Sequence, residues 1–320
     1  MKKVLITGGL GFIGASLLKK LLTEGTDYIT ILDNIGHRSS KLILQTLMET
    51  SHACNRYKII KVDLAKTSAT TLNSFFKDQD TIYHFASTVG VRTIDNNPNH
   101  AIKNILNINE NVFEAAAKSN KRIIYTSTSE IYGSSTNCVE SDNLTIGTSK
   151  TSRWCYSSCK LTSEFLLRSY DTPSIIVRPF NVTGYGQCSK GGAVLPNFIE
   201  ASLRNKPIEV YGTGEQSRSF CDVRDAINAL HVLSCTESCY GNIYNIGNPN
   251  NITTINQLAN SVLKAINSKS EIVYSGMSNS FKNDFVDISS RIPNILELRK
   301  YYTPTISMQE IINSGVSFYT

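Results

Sequence analysis

The run Gly8-Gly9-Leu10-Gly11-Phe12-Ile13-Gly14 decides how the chain is read, because of what stands on either side of it. Before it, Val4 to Thr7 is a short strand-forming run; after it, Ile13, Leu17, Leu18, Leu21 and Leu22 recur at helical spacing. A strand, a glycine turn and a helix in that order aim backbone N–H groups and a helix N-terminus at one point, which suits an anionic phosphate pair. Residues without a Cβ let that pair approach closely, and Gly8, Gly11 and Gly14 supply them, with Phe12 and Ile13 between. The next strand-like run, Tyr28 to Leu32, ends at Asp33-Asn34. A carboxylate there accepts hydrogen bonds from an adenosine ribose and repels a 2′-phosphate, so NAD is expected as cofactor rather than NADP. Arg38 is the nearby residue that speaks for NADP. Asp63-Leu64, closing a third strand, is placed to meet the adenine edge, although an Asp at that point serves equally well as a helix cap.

Outward from this turn, strand-like runs at Lys58 to Val62, Thr81 to His84, Arg122 to Thr126 and Ser174 to Val177 alternate with helix-period segments. Those segments lie near Thr71 to Phe76, Ala101 to Ala117 and Ser157 to Tyr170. Such alternation implies an α/β fold, a doubly wound parallel sheet of Rossmann type. After Arg178-Pro179 the pattern loosens and glycines become frequent, so the expected division is an NAD-binding domain over residues 1–179 and a smaller lobe over 180–320. A strand-like run at Asn242 to Ile246 is expected to rejoin the first sheet, which makes 222–250 part of the larger domain and leaves the lobes partly interleaved.

Composition narrows the class. With 320 residues, 41% hydrophobic and 18% charged, the chain has enough apolar surface for a large core and no bias toward disorder. A net charge of +6 is spread over single residues and isolated pairs, so no nucleic-acid stripe is expected. The apolar start of the chain breaks at Gly8-Gly9, so neither a secretory segment nor a membrane span is expected. Eight cysteines without a CxxC pair or zinc-finger spacing fit reduced thiols in a cytoplasm, and no metal site is expected.

Tyr156-Ser157-Ser158-Cys159-Lys160 puts a phenol and an ammonium on one helix face. A phenol is a poor base at neutral pH, and a neighbouring cation, aided by the positive nicotinamide ring, is expected to lower its pKa enough for proton transfer with a sugar hydroxyl. Upstream, the strand Arg122 to Thr126 runs into Ser127-Thr128-Ser129-Glu130-Ile131-Tyr132-Gly133, at the sheet edge where doubly wound folds place ligands. With His84-Phe85-Ala86, Arg178-Pro179-Phe180-Asn181 and Tyr211-Gly212-Thr213-Gly214-Glu215-Gln216-Ser217-Arg218, nearly the whole chain resembles the extended short-chain dehydrogenase/reductases of the nucleotide-sugar epimerase/dehydratase family.

That resemblance implies a homodimer formed through the helices near Ala101 to Ala117 and Ser157 to Tyr170, acting on a UDP-sugar. It casts Tyr156 as the base, Thr128 as the hydroxyl bridging to the sugar O4, and Lys160 as the holder of the nicotinamide ribose, with Ala86 among the cofactor contacts. Asn181, Arg218 and Arg291 would grip the diphosphate, Val194 and Leu195 would border the base, and Thr88 and Val89 would line the sugar pocket.

The reaction turns on Glu130. A ketone at C4 acidifies the C5 proton, and a carboxylate there can remove it and expel the C6 hydroxyl, so Glu130 points to a 4,6-dehydratase. The resemblance leans toward UDP-N-acetylglucosamine 4,6-dehydratases of giant-virus or bacterial type, with C5 inversion open and a host-cytoplasmic location if viral. Ser129 stands where many dehydratases have an Asp, which leaves the acid for the departing hydroxyl unassigned. A glucuronate decarboxylase or 4-epimerase is the alternative, with Arg92, Arg153 and Lys150 available to a C6 carboxylate. A catalytically idle NAD-binding regulator is the third reading, and intact Thr128, Tyr156 and Lys160 speak against it.

Overall fold

A computed structural model describes residues 2–25, 28–36, 42, 45, 55–276 and 288–320. Arg38 and Cys54 lie outside the described residues, and so does the side chain of Arg92. Seven parallel strands form the central sheet: β1 (Lys3–Thr7), β2 (Tyr28–Asp33), β3 (Tyr57–Lys61), β4 (Thr81–His84), β5 (Arg122–Thr126), β6 (Ser174–Pro179) and, after the second-lobe strand β7 (Ile208–Tyr211), β8 (Ile243–Ile246). Their order across the sheet is β3-β2-β1-β4-β5-β6-β8. The chain therefore leaves β1 in one direction and returns to its other side at β4. At that reversal the flanking connections diverge and open a crevice, which is where such sheets bind ligands.

Register brings the chemistry to one edge. Thr7 pairs with His84, and Thr126 pairs with Val177, so the carboxyl ends of β1, β4, β5 and β6 are aligned. Val4, Ile6, Ile29 and Ile31 face one side of the sheet, against Leu17, Leu18 and Leu21 of α1 (Phe12–Thr23) and Ala226, Leu230 and Leu233 of the helix Val223–Cys235. Leu5, Leu32, Ile82 and Ile123 face the other, against α2 (Ala69–Phe76) and, beyond α3 (Val91–Asn96), the long helix α4 (Pro98–Lys118). Helix α4 starts earlier than the apolar periodicity suggests, because Asn97 caps it and Pro98 occupies its first turn.

Helix α5 (Arg153–Ser169) carries Tyr156 and Lys160 and packs beside α4. Ile243–Ile246 lies beside β6 in parallel register. The second lobe has its own core, with Leu195, Phe198 and Ile199 of α6 (Val194–Leu203) against Leu258, Ala259 and Val262 of α8 (Ile255–Ile266). Between these two helices in the chain lies α7 (Val223–Cys235). Strand β7 pairs in parallel with β9 (Ile272–Ser275), and α9 (Met308–Tyr319), closed at its start by a Ser307–Glu310 capping box, completes the lobe.

Candidate active site

A cleft of about 690 Å³ runs along the carboxyl edge of the sheet. One end is a backbone cradle. Gly8 holds φ at +67°, and a Cβ there would stand 2.7 Å from the Ala86 nitrogen; a Cβ on Gly14 would stand 2.4 Å from the Gly8 carbonyl oxygen. Only bare backbone fits so close, and α1 begins at this point with no side chain capping its N-terminus. Asp33 ends β2 buried, accepting from Leu10 N at 3.0 Å and Ile35 N at 2.8 Å. Gly8, Gly11, Phe12, Ile13, Gly14, Asp33, Asn34, Asp63, Leu64 and Ala86 all line this end. Asp63 also accepts from Ala65 N, so it serves as a turn cap as well as a cleft wall.

The cleft holds three buried hydroxyls without a hydrogen-bond partner among the described residues: Ser87, Thr126 and Ser127. Buried hydroxyls are rarely left unpaired, so a polar ligand is the natural completion of this surface. The glycine cradle, the uncapped helix start and these hydroxyls together fit a dinucleotide. None of the three received a role from the sequence, although Ser127 sits one residue before Thr128 and Ser87 one after Ala86.

Thr128, Glu130, Tyr156 and Lys160 converge on the same cleft. Tyr156 hydrogen-bonds Thr128, whose Oγ1 also accepts from Glu130 N at 3.2 Å. Burial pushes the Tyr156 phenol well above its ordinary value, and the nearby Glu130 carboxylate pushes it further, against a smaller lowering by Thr128. Lys160 is not among the influences on the phenol, whose expected lowering rests on the nicotinamide ring as well. The Lys160 ammonium donates to the Thr126 carbonyl at 2.8 Å and lies over the Tyr125 ring at 4.9 Å. Burial brings its own pKa down to about 7, with Glu164 opposing. Burial therefore works against the charged form of Lys160, while Glu164 supports it.

Next to Tyr156, Glu130 sits between two guanidiniums. Arg291 Nη1 donates to Oε1 at 2.5 Å and Arg153 Nη2 to Oε2 at 3.2 Å. Burial alone would raise the Glu130 carboxyl, but Arg291 and then Arg153 overcome it and hold it at about 2. Arg291 is 2% exposed, and its Nε and Nη2 have no hydrogen-bond partner among the described residues.

Other expected contacts fall differently. Thr88, Val89 and Asn181 line the cleft, but Arg218, Arg291, Val194 and Leu195 do not. Leu195 is 1% exposed in the second-lobe core, because its position on α6 turns it toward α8 and α9. Arg218 donates to the carbonyls of Ser217 and Ile288. Arg291, expected on the diphosphate, is drawn instead to the Glu130 carboxylate. Arg153 lines the cleft, while Lys150 is exposed and does not. Among the described residues, no group of His, Cys, Asp and Glu is arranged to hold a metal, and no helix is long and apolar enough to cross a membrane.

Comparison with known proteins agrees with this geometry. The model of the NAD dependent epimerase/dehydratase family matches residues 4–247. UDP-N-acetyl-alpha-D-glucosaminuronate decarboxylase of Bacillus cytotoxicus is 30% identical, covering 99% of this chain and 98% of its own. UDP-glucuronic acid decarboxylase 1 of Arabidopsis thaliana is 28% identical, over 98% of this chain and 69% of its own. Among solved structures, UDP-N-acetylglucosamine 4-epimerase from Methanobrevibacter ruminantium, in complex with UDP-N-acetylmuramic acid, superposes with a TM-score of 0.84 at 27% identity, over 99% of this chain and 98% of that one. These relatives match the decarboxylase and epimerase alternative better than the dehydratase. The chain belongs to the NAD-dependent epimerase/dehydratase family, and NAD is its cofactor.

Proposed function

We propose that this protein is a decarboxylase of UDP-activated hexuronic acids. The carrying observation is the Arg153–Glu130–Arg291 cluster, two cations around one anion beside Tyr156. Dehydration needs Glu130 as a base toward C5, and a carboxyl held at about 2 is a weak one. A substrate carboxylate at C6 instead brings the second negative charge that balances the two guanidiniums. Arg153, which lines the cleft, is the guanidinium placed to meet such an anion, while Arg291 holds Glu130 from the buried side.

Gly8, Gly11, Gly14, Asp33 and Lys160 would hold NAD, which when bound supplies reversible oxidation at the sugar C4. Tyr156 takes the O4 proton, with Thr128 orienting the hydroxyl it leaves from. In a uronic acid the C4 ketone stands β to the C6 carboxylate, so the C5–C6 bond breaks, carbon dioxide departs and the electron pair moves onto O4 as an enolate. C5 then takes a proton, and Tyr156 returns its own to O4 when the alcohol is restored. Glu130, kept ionised, orients the two arginines and places the carboxylate.

A homodimer through α4 and α5 belongs to the same proposal; Phe165 on α5 is 69% exposed and would be covered by it. The reaction is tested by mass spectrometry after incubation with UDP-glucuronate, UDP-N-acetylglucosaminuronate and UDP-N-acetylglucosamine. Loss of carbon dioxide from either acid is expected. Loss of water from UDP-N-acetylglucosamine would restore the dehydratase, and unchanged mass with inverted C4 would make the protein an epimerase.

A further inference from the structure

Beneath the cleft, and outside the chemistry above, a chain of buried polar groups crosses from β1 to α5. His84, 1% exposed at the end of β4, meets Thr7 Oγ1 through Nδ1 at 2.6 Å and Asn109 Oδ1 through Nε2 at 2.8 Å. Asn109 Nδ2 donates to Ser163 Oγ at 2.6 Å and to Tyr125 OH at 3.2 Å. Ser163 Oγ donates to the Cys159 carbonyl at 2.7 Å, and Thr7 Oγ1 accepts from Ala86 N at 3.4 Å. We infer that His84 is a positioning residue that ties the glycine turn of the cofactor cleft to the helix carrying Tyr156 and Lys160.

The direction of every link follows from its neighbours. Ser163 spends its hydrogen on Cys159, so its oxygen must accept from Asn109, and the Asn109 oxygen therefore faces His84. That oxygen only accepts, so His84 carries its proton on Nε2 and its bare Nδ1 accepts from the Thr7 hydroxyl. One tautomer alone satisfies both ends. At the first end, Thr7 fixes Ala86, the residue whose backbone closes on Gly8. At the second end, Ser163 fixes the helical turn that holds Cys159 and Lys160, and Tyr125 forms the floor under the Lys160 ammonium.

The groups facing the imidazole are Thr7 from β1, Asn109 and Phe113 from α4, Tyr125 from β5 and the Lys160 cation from α5. Burial first, and Lys160 in addition, bring the His84 pKa down to about 3, against a smaller rise from Asn109. The ring therefore stays neutral and keeps its tautomer across the working pH range. A protonated ring would reverse the Thr7 hydrogen bond, stranding the Thr7 hydroxyl hydrogen, and would stand beside the Lys160 ammonium.

The test uses the full chain labelled with 15N-histidine. One imidazole is expected to stay neutral, with its proton on Nε2, from roughly pH 5 to 9. It disappears from the spectrum in His84→Phe, a substitution that keeps the ring contacts with Phe113 and Tyr125 and removes both hydrogen bonds. In that variant kcat is expected to fall about tenfold, with KM for the nucleotide sugar within about twofold of wild type. NAD is also expected to be retained less well through gel filtration. Ser163→Ala cuts the same chain at its far end with little change of volume, and carries the same kcat-against-KM expectation if His84→Phe does not fold. An imidazolium or an Nδ1–H tautomer at neutral pH would overturn the inference. So would wild-type kcat and NAD retention in both variants.

Discussion

At the glycine-turn end of the cleft the wall is mostly backbone N–H groups, glycines and one buried aspartate from between Gly8 and Ala86, with Ser87, Thr126, Ser127 and Lys160 beyond it. Beside Tyr156 stand the long charged side chains of Glu130 and Arg153, with Arg291 paired to Glu130, drawn from a turn, the start of a helix and the residue just before a short strand. The first end is held by where the main chain can go. The second is held by charge balance, and Arg291 lies 161 residues from the Glu130 it meets. Shape at one end and charge at the other should fail separately, and that separation is open to experiment.

Tyr156→Phe should do the most damage, lowering kcat by about 10⁴-fold, since it removes the hydroxyl that exchanges the O4 proton. NAD content, measured by ultraviolet absorbance of the purified protein, should be unchanged. Loss of both together would merge the two ends into one.

Lys160→Met comes next, read in stability. Lys160 titrates near 7 in the fold against about 10.5 in the unfolded chain, so holding the ammonium in the fold costs on the order of 5 kcal/mol at roughly 1.36 kcal/mol per pKa unit. Between those values the unfolded chain binds the extra proton, so the wild type gains stability as pH rises through that window. The variant, without NAD, should therefore melt higher than wild type below pH 7, and its advantage should shrink toward pH 10. A gap that does not vary with pH would mean that the ammonium is solvated in the fold.

Gly14→Ala tests the opposite end. The added methyl would lie 2.6 Å from Gly9 Cα as well as against the Gly8 carbonyl, and main chain gives way poorly. Affinity for NAD, followed by titration calorimetry, should fall about a hundredfold, while the unfolding transition stays single.

The same contrast explains what could be read in advance. Glycines at 8, 11 and 14, Asp33 at a strand end, and Tyr156 four residues before Lys160 are local patterns, in which spacing alone dictates proximity. The parallel sheet follows from the same kind of regularity, including the late strand Ile243–Ile246. Arg291 carried no such signal. Family resemblance placed it on a phosphate, whereas the parallel pairing of Ile292–Pro293 with Asn137–Cys138 carries it to Glu130. Leu195, which the same resemblance set beside the base, points its side chain into the second-lobe core, a helix-face choice that resemblance alone does not reveal. The raised phenol of Tyr156 was hidden as well, because it arises from burial and from Glu130, two properties of the assembled site.

Arg291→Gln gives the smallest expected effect and bears most directly on the charge-balanced end. Removal of this guanidinium leaves Arg153 as the paired cation of Glu130, while burial, the largest single influence on that carboxyl, remains. The Glu130 pKa should then climb from about 2 toward and past its ordinary value, so that it takes up a proton at mildly acidic pH. In the wild type, the stability that this ion pair contributes is present above the ordinary carboxyl range and lost as pH falls through about 2. The variant should lose kcat on UDP-glucuronate about tenfold near neutrality and show its acid limb at a higher pH than wild type. Arg291→Lys should not restore the rate, because a flexible ammonium cannot hold the Glu130 carboxylate in the fixed geometry of a planar guanidinium. An acid limb that does not move would mean that Arg153 alone sets the charge of Glu130. The sugar end would then be assembled from residues 128–160, as locally as the glycine cradle, and the contrast between the two ends would reduce to one of side-chain length.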